Sequence, residues 1–521
     1  SSDVCSSDLR VSTNGGLVTE NWFDLNASRY TPSSTLQRME LLKTGYMGTL
    51  SLGWDNYLFL ELTGRQERSS TLKDQSFFYP SANLSFLFTQ AFHMPSWWNY
   101  GKLRLSYGIV GNAPETYTAN IVYEQGSDNG FTWNTIPSSW GNADIRPEKK
   151  YEYEIGLESK FLNNRLGIDI SYYNNRVKDQ ILSTPQPSTS GVKNVLMNVG
   201  EVANHGWDIS ISATPILTRD FRWDLTANYG VYKNKVVKLA DGVPYLEILN
   251  SGGSGIKIQA VEGQPMGDIY AQVPQVNENG EYLVSDKGLY LNQTELQKVG
   301  NINPAGVGGL FNSFSYKNVF LDFSIDFRIG GDVINEMNQY ATAVGLTPES
   351  LKYRDTEHGG LSYYYPGDNN SSGIPVQVDP STGAGPNGEI IYHDGIILPG
   401  VVASTGERNT RIIPAGYYYN TTYNWGTEAE QLTYRHSVFD NSYVKLRELT
   451  IGYQFPEKMI SKLGLGRLSV SVFGRNLFYF YKALKNYDAE SSVGTSWANQ
   501  ATVGSSTTAT RSFGVSLRAS F

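Results

Sequence analysis

The sequence predicts an all-β chain of antiparallel strands that run up and down, either in a transmembrane β-barrel or in a soluble sandwich. Three observations lead to this prediction. Segments of alternating polar and apolar residues recur along the chain, the connections between them alternate between short and long, and the last segment ends on an aromatic residue. Successive side chains of a strand point to opposite faces, so each segment has one apolar and one polar face.

The alternating segments appear in order along the chain. The clearest reads LDFSIDFRI, in which every second residue is apolar. Several segments keep the pattern for about nine or ten residues, enough to cross a bilayer at a tilt, whereas soluble strands run to about five or six. Alternation alone does not decide which medium the apolar face contacts. The segments are residues 102–109, 151–157, 166–172, 207–213, 223–231, 321–329 and 468–472.

The connections favour a barrel. Residues 163–164, 218–220 and 317–318 form short links, whereas 182–198, 331–433 and 484–510 are long and rich in Gly, Pro, Asn and Ser. Membrane barrels have short turns at one end and long loops at the other, and long irregular loops are uncommon in compact soluble domains. Residues 263–304 have no place in this up-and-down order. Short helices are expected at residues 294–299 and 457–463.

The last strand is a candidate assembly signal. Residues 511–521 read RSFGVSLRASF, with the apolar side chains on one face. Outer-membrane barrels end on such a strand, and their assembly machinery reads its terminal aromatic residue. An ordinary amphipathic strand is the alternative. The residues predicted to form the signal are Phe513, Val515, Leu517 and Phe521.

Composition excludes several classes of protein. A net charge of −8 without a basic run argues against nucleic-acid binding. The chain has no run of 18 apolar residues, so no membrane helix is expected. A mean hydropathy of −0.35 is compatible with a barrel, because half of each strand faces a wet lumen. The 35 Tyr and 52 Gly suit strands, turns and aromatic belts.

The first residues look foreign to the protein. Residues 3–9 read DVCSSDL, which back-translates to a common sequencing-adapter read. We therefore expect residues 1–9 to be non-biological and residues 10–521 to form the barrel portion. Cys5 is the only cysteine, so no disulfide or redox role is expected.

The sequence offers no catalytic or metal-binding motif. None of the histidines is spaced as a metal-binding pair, and no phosphate loop, nucleophile elbow or dinucleotide fingerprint occurs. Asp488 and Glu490 lie two residues apart, which glycoside hydrolysis could use but which is more typical of solvated acids. The chain is therefore predicted to be no enzyme and to hold no cofactor or metal. The histidines are His93, His205, His358, His393 and His436.

Aromatic clusters have two interpretations. Trp97, Trp98 and residues 478–481 flank alternating segments, where a membrane-interface belt is expected. Tyr363, Tyr364 and Tyr365 lie deep in the longest loop, where a belt is less natural. These three tyrosines are candidates for contact with a sugar or peptide ligand.

Eight stretches of the chain carry a family resemblance. They are KLRLSYGIVGN (102–112), residues 142–181, NVGEVANHGWDISISATPI (198–216), FRWDLTANYGVYKNKV (221–236), SYVKLRELTIGYQFP (442–456), LSVSVFGRNLFYFYK (468–482), YDAES (487–491) and TRSFGVSLRASF (510–521). Taken together, they resemble the C-terminal part of the SusC/RagA-type TonB-dependent transporters of Bacteroidota outer membranes. They follow the order of that family, and the resemblance covers nearly everything from about residue 45 onward.

The resemblance implies a transmembrane barrel of which part is missing. Family barrels have about 22 strands around a plug, whereas this length supplies about 14 to 16, and no stretch resembles the plug, the TonB box or a signal peptide. Residues 284–300 replace an acidic glycine-rich loop of many relatives, which removes support for a calcium role. Side chains expected to face the lumen, as a wall network rather than a substrate site, are Asp208, Asp224, Asp322, Asp326 and Arg328.

The resemblance also implies a function in the outer membrane. It points to TonB-dependent import of oligosaccharides or peptides, without enzymatic activity, together with a SusD-like surface lipoprotein that captures the ligand. TonB would act through the missing plug, and outer-membrane lipid would surround the strands. This chain alone is not expected to transport. A passive porin-like barrel and a soluble secreted glycan-binding β protein are the alternatives.

Overall fold

The computed structural model describes residues 2–73, 76–128, 131–185, 189, 191–251, 255–367, 373–424, 433–461, 464–492, 494, 496–504 and 509–520. Fourteen long strands belong to one large sheet, and their hydrogen-bonded order is their order in the chain. The strands are β1 Ser2–Leu17, β2 Ser28–Trp54, β3 Leu58–Ser69, β4 Ser76–Phe86, β5 Trp98–Asn112, β6 Glu148–Phe161, β7 Leu166–Lys178, β8 Glu201–Leu217, β9 Phe221–Lys238, β10 Gly306–Tyr316, β11 Val319–Ile329, β12 Tyr443–Gln454, β13 Arg467–Lys482 and β14 Ser512–Ser520.

The predicted all-β, antiparallel, up-and-down architecture is confirmed, and so is the alternation of connections. Residues 162–165, 218–220 and 317–318 link their strands tightly, whereas 239–305 and 330–442 are long. In the first of these turns Asn163 and Asn164 both have positive φ, of 56° and 62°. Asparagine tolerates this left-handed conformation better than most residues, which suits a tight turn.

Smaller elements occupy the long connections. Residues 263–304, which the sequence pattern left unplaced, belong to the connection between β9 and β10. A short helix at residues 294–299 was the wrong expectation, because Gln297–Asn301 is a strand paired with Asp268–Ala271. The expected helix near residue 457 is confirmed at Glu457–Ile460. No helix among the described residues has the length and apolar character needed to cross a membrane.

The remaining elements are short. Short strands lie at Glu124–Asp128, Phe131–Thr135, Ser139–Trp140, Ile181–Pro185, Asn194–Asn198, Tyr245–Ser251, Ile256–Val261, Asp268–Ala271, Leu283–Val284, Gln297–Asn301, Asp332–Ile334, Leu361–Tyr364, Val376–Gln377, Tyr392–Ile396, Val401–Val402, Ile413–Pro414 and Val438–Asp440. The helices are α1 Phe88–Ala91, α2 Glu336–Ala343, α3 Ala415–Tyr423 and α4 Glu457–Ile460. Single 3-10 turns lie at Leu25–Ala27, Pro348–Leu351, Tyr434–Ser437 and Asn499–Ala501.

The chain divides into two compact units, and the division falls within β7, β8 and β9. In the first unit, residues of β2 to β6 lie side by side in an apolar row on one face of the sheet. Leu52 and Ile155, at the two ends of this row, are 52% and 47% exposed. The row is Leu52, Leu60, Leu84, Leu105 and Ile155.

The second unit repeats this arrangement in β9 to β14. Its apolar row begins with Trp223 stacked on Phe314, whose ring centroids are 5.5 Å apart. Val472 and Val515 at the other end are 58% and 71% exposed. The apolar faces of both units are therefore open to the surroundings. The row is Trp223, Phe314, Leu321, Ile451, Val472 and Val515.

The buried hydrophobic clusters lie in the connections instead. In the second unit the largest joins Ile256, Ile258 and Ile269 to Ile334 and Tyr434. In the first unit Leu72, Ala119 and Ile145 pack around Phe77, the one member that belongs to a long strand. Thus the loops have cores of their own, while the long strands present apolar side chains outward. This distribution is the reverse of a soluble sandwich, whose apolar faces pack against each other.

Candidate functional site

The polar face of the long strands carries ion pairs in both units. In the first unit Arg104 on β5 binds Asp169 on β7 with both terminal nitrogens, at 3.2 and 2.6 Å, and also donates to the Ser171 hydroxyl at 3.1 Å. Glu158 on β6 lies 3.6 Å from the same guanidinium. Two parallel N–H···O bonds make this arrangement stronger and more specific than a single contact.

In the second unit the polar face contains the predicted lumen residues. Asp322 accepts a hydrogen bond from the Ser313 hydroxyl at 2.6 Å, and Asp326 accepts from Arg447 Nε at 2.5 Å. Arg328 donates instead to backbone carbonyls, those of Ile302 at 3.1 Å and Gly330 at 3.2 Å.

Two more of the predicted lumen residues lie on the same face. Asp224 accepts from Arg222 Nε at 2.5 Å and from the Thr214 hydroxyl at 2.7 Å. Asp208 on β8 lies beside Gly230 on β9, 3.1 Å from where a β-carbon at residue 230 would be. These contacts fit the interpretation as a network on the strand wall.

A β-bulge in β12 builds the densest part of this network. The register skips Arg447 in the pairing with both β11 and β13, so an extra residue enters the strand and redirects its side chain. Arg447 then donates to Glu490 with two nitrogens, at 2.9 and 2.5 Å. Lys445, whose side chain is 2% exposed, pairs with the same carboxylate.

Asp488 and Glu490 are therefore the anchor of the connection between β13 and β14, and not a solvated pair of acids. The Asp488 carboxylate accepts from the Tyr479 hydroxyl at 2.5 Å and from the backbone of Ala509 at 3.1 Å. Burial raises the pKa of Glu490, but the bonds from Arg447 and Lys445 outweigh it and hold that pKa at about 2. Both acids are ion-paired or hydrogen-bonded, which suits structure better than acid catalysis.

The three candidate ligand tyrosines lie in the packing of the long loop. Tyr363 is 1% exposed, stacks on Tyr392 at 5.5 Å and donates to Asp394 at 3.1 Å. Burial, followed by the charge of Asp394, raises its pKa. Tyr364 and Tyr365 are 9% and 6% exposed. Tyr365 lines a cavity of about 370 Å³. Ligand contact by the three residues stays a prediction.

That cavity was not found from the sequence, because its wall comes from distant segments. Two cations, Lys287 and Arg411, line it together with Tyr365 and Tyr417. Among the described residues, no group of three or more histidine, cysteine or acidic side chains could hold a metal ion.

The terminal strand presents its apolar side chains outward. Phe513, Val515 and Leu517 are each about 70% exposed, with values of 73%, 71% and 69%. Phe521 lies outside the described residues. The role of these four residues as an assembly signal remains a prediction, and so does the non-biological origin of residues 1–9, of which 2–9 pair with β2.

Comparisons with known proteins decide the family. The family described as "TonB dependent receptor-like, beta-barrel" matches residues 7–266. The chain belongs to the TonB-dependent receptor β-barrel family. Its relatives include TonB-dependent receptor P3 of Formosa agariphila, 24% identical over 86% of this chain and 42% of that protein. TonB-dependent receptor SusC of Bacteroides thetaiotaomicron is 30% identical over 44% of this chain and 24% of that protein.

Solved structures agree on the fold of this TonB-dependent receptor barrel. The RagAB peptide importer in its closed-closed state aligns with a TM-score of 0.65 at 18% identity, over 92% of this chain and 49% of that chain. The chain thus spans less than half the length of P3 and of the RagAB chain. The predicted resemblance to the SusC/RagA-type transporters is confirmed, and so is the predicted outer-membrane location. The family is one of transporters, a non-enzymatic kind.

Proposed function

We propose that this receptor barrel forms part of an importer that takes up oligosaccharides or peptides across the outer membrane. Energy would come from TonB acting on a plug domain, and a SusD-like lipoprotein would capture the ligand at the surface. The barrel itself would perform no covalent chemistry. Support comes from the family and from relatives named SusC and RagAB.

One observation favours transport most strongly. The long strands have exposed apolar rows on one face and ion-paired polar side chains, such as Arg104 with Asp169, on the other. In a membrane barrel, lipid contacts the apolar face of the strands and water contacts the polar face. A wall lined by polar groups gives a hydrophilic ligand a path through the bilayer.

The test uses the uninterrupted gene in its own bacterium. We expect its deletion to abolish growth on one class of oligosaccharide or peptide, and we expect loss of TonB to have the same effect. The protein is expected in outer-membrane fractions and should migrate differently on gels before and after heating. Uptake that continues without TonB would indicate a passive porin instead. Recovery in the soluble fraction would indicate a secreted binding protein.

A further inference from the structure

We propose that a cavity beside Tyr117 is a binding subsite for one unit of a neutral oligosaccharide. This inference rests on the proposed import function, because it chooses among the ligand classes of that function. We call the space the Tyr117 cavity. It lies in the first unit, where β2 continues beyond the end of β3. Its lining residues, all within residues 10–521, are Glu40, Leu42, Ser70, Thr71, Thr116, Tyr117, Ala119 and Asn120.

Tyr117 has an unfavourable backbone conformation at the cavity. It is the third residue of a turn in which the Thr118 N–H donates to the Glu115 carbonyl at 3.3 Å, and its φ is 66°. This position favours glycine or asparagine, and a bulky residue there is an outlier. Strained residues of this kind cluster at ligand-binding sites. The turn would form more easily with glycine, so the presence of a phenol ring points to a role of the side chain.

The loop that carries Tyr117 is fixed by its surroundings. Ala119 packs in the buried cluster of the first unit, and the Tyr117 hydroxyl accepts a hydrogen bond from the Glu40 N–H at 3.1 Å. Gly141 lets the Asn120 backbone approach closely, because a β-carbon at residue 141 would lie 2.1 Å from the Asn120 carbonyl oxygen. Tyr117 is nevertheless 50% exposed. Binding to a loop that is already ordered costs little conformational entropy.

The edge of β2 is closed to an extended peptide at this point. Peptides commonly bind by adding a strand to a sheet edge, through backbone groups that lack a partner. Here the Glu40 N–H donates to Tyr117, and the Leu42 N–H donates to the Ser70 hydroxyl at 3.0 Å. The Leu42 carbonyl accepts from the Ser70 N–H at 2.9 Å. The groups that a peptide strand would need are therefore already bonded.

The polar groups of the lining suit the hydroxyls of a sugar. Among the residues that the structure describes, none is bonded to the Thr116 hydroxyl or the Asn120 side-chain amide. The Tyr117 hydroxyl accepts from Glu40 but can still donate, and the Glu40 carboxylate, paired with Arg38, has further lone pairs. The lining thus offers donors and acceptors together, and the Tyr117 ring suits the C–H face of a pyranose ring.

The charge of the lining favours a neutral sugar. Glu40 is its one acidic residue, and no lysine, arginine or histidine is among the described lining residues. Because Glu40 pairs with Arg38, the site has no excess of positive charge that would attract an anion. The volume of about 380 Å³ lies near the lower end of the range for ligand pockets, roughly 300–1,000 Å³. We therefore expect one sugar unit, and not a whole oligosaccharide, to fill the Tyr117 cavity.

The experiment measures binding to the full-length protein, purified from the outer membrane in detergent, by isothermal titration calorimetry. The neutral probes are cellotetraose, mannotetraose and xylotetraose. Tetragalacturonate is the acidic sugar, and tetraalanine is the peptide. We expect at least one neutral sugar to bind saturably, with an affinity at least tenfold higher than that of tetragalacturonate or tetraalanine.

Variants of the lining connect this binding to the Tyr117 cavity. Tyr117→Gly keeps the turn, because glycine adopts a positive φ freely, but it removes the ring and should weaken sugar binding at least tenfold. Tyr117→Phe keeps the ring and should weaken binding two- to fivefold, and Asn120→Ala should weaken it at least threefold. Tyr123→Ala is the matched control in the same connection. Tyr123 is 61% exposed and lies outside the lining, so the affinity should change less than twofold.

Three results would overturn the proposal. They are failure of all three neutral sugars to bind, sugar binding that Tyr117→Gly and Asn120→Ala leave unchanged, and equal or tighter binding of tetragalacturonate or tetraalanine with the same dependence on Tyr117. Failure of the import function is a separate outcome, because it would appear as growth that does not depend on TonB. Conversely, TonB-dependent import of a peptide or an acidic sugar would leave the import function standing and refute the assignment of the Tyr117 cavity.

Discussion

Replacing Glu490 with glutamine should weaken the attachment of the connection between β13 and β14 to strand β12. The substitution keeps the shape of the side chain but removes the charge that pairs with Lys445 and Arg447. Lys445 would then be a nearly unexposed cation without its acidic partner. Removing one partner of a buried pair is costly because the other charge stays desolvated.

The magnitude follows from the pKa of Glu490. A fall from the ordinary value of 4.5 to about 2 corresponds to roughly 3 kcal/mol at neutral pH. Because 27% of the Glu490 side chain is exposed, solvent screening reduces this to about 2 kcal/mol. Opening of the connection should therefore become about 30-fold more frequent in Glu490→Gln.

Hydrogen exchange of the protein in detergent measures this opening. The amides of Glu490 and Ala509 donate to Asp488, so they exchange when the connection leaves the wall. Because the pKa of Glu490 is lowered in the folded state, its stabilising effect is complete above pH 4.5 and is lost as the pH falls toward 2. Exchange in the unmodified protein, corrected for the intrinsic rate, should rise over this interval. In Glu490→Gln it should rise less, because only the hydrogen-bonded carboxylate of Asp488, whose pKa is also lowered, still titrates at this anchor.

A matched control separates this effect from any loss of charge. Glu448 pairs with Arg475 at 3.3 Å, but their side chains are 40% and 59% exposed, and exposed pairs contribute about 0–1 kcal/mol. Glu448→Gln should therefore change exchange of the Ala509 amide less than threefold. The reasoning is refuted if Glu490→Gln has an equally small effect, or if its exchange keeps the full acid dependence of the parent.

Three further predictions concern the strands. Leu517→Lys, on the exposed apolar face of β14, should destabilise the barrel in lipid vesicles by about 2–4 kcal/mol if it lies near the bilayer midplane, whereas Ser516→Lys on the other face should cost under half as much; equal costs in urea unfolding would contradict the assignment of faces. Arg104→Met leaves Asp169 without its bidentate partner and should cost about 1–3 kcal/mol in the same assay, and Asp169→Asn in that background should restore part of the loss. Gly452→Ala puts a β-carbon 2.1 Å from Phe320 Cζ and should cost about 1–3 kcal/mol through overpacking, while Gly48→Ala, with open space around it, should be tolerated.

The strands could be predicted from sequence because their signal is local. Residues 321–329 alternate strictly, and Asn163-Asn164 is a recognisable turn, so period and turn chemistry agree with the fold that forms. The bulge at Arg447 could not be found this way. An extra residue interrupts the alternation, but the sequence does not show which residue is the extra one or where its side chain points. Gln297–Asn301 was mistaken for a helix because its strand pairing with Asp268–Ala271 is non-local.

The loops were harder for a related reason. Tyr363 and Arg411 are distant in sequence, and only the four-stranded sheet of the long connection brings their segments together. In the long strands, the apolar side chains of one face contact lipid, so a two-residue period encodes their direction. In the loops, apolar residues such as Ile413 and Leu289 pack against one another in small cores, and no single period describes them.

This difference has a functional consequence. Loops that depended on the strands for their packing would change shape with every change of the wall, whereas loops with their own cores can hold a ligand subsite independently of it. Buried residues of the long connection such as Ile412 and Ile413 pack in two clusters of their own, and Glu490 ties a different connection to β12 through Arg447. A barrel organised in this way can vary its ligand chemistry in the loops while the lipid-facing rows and the polar wall keep the same pattern.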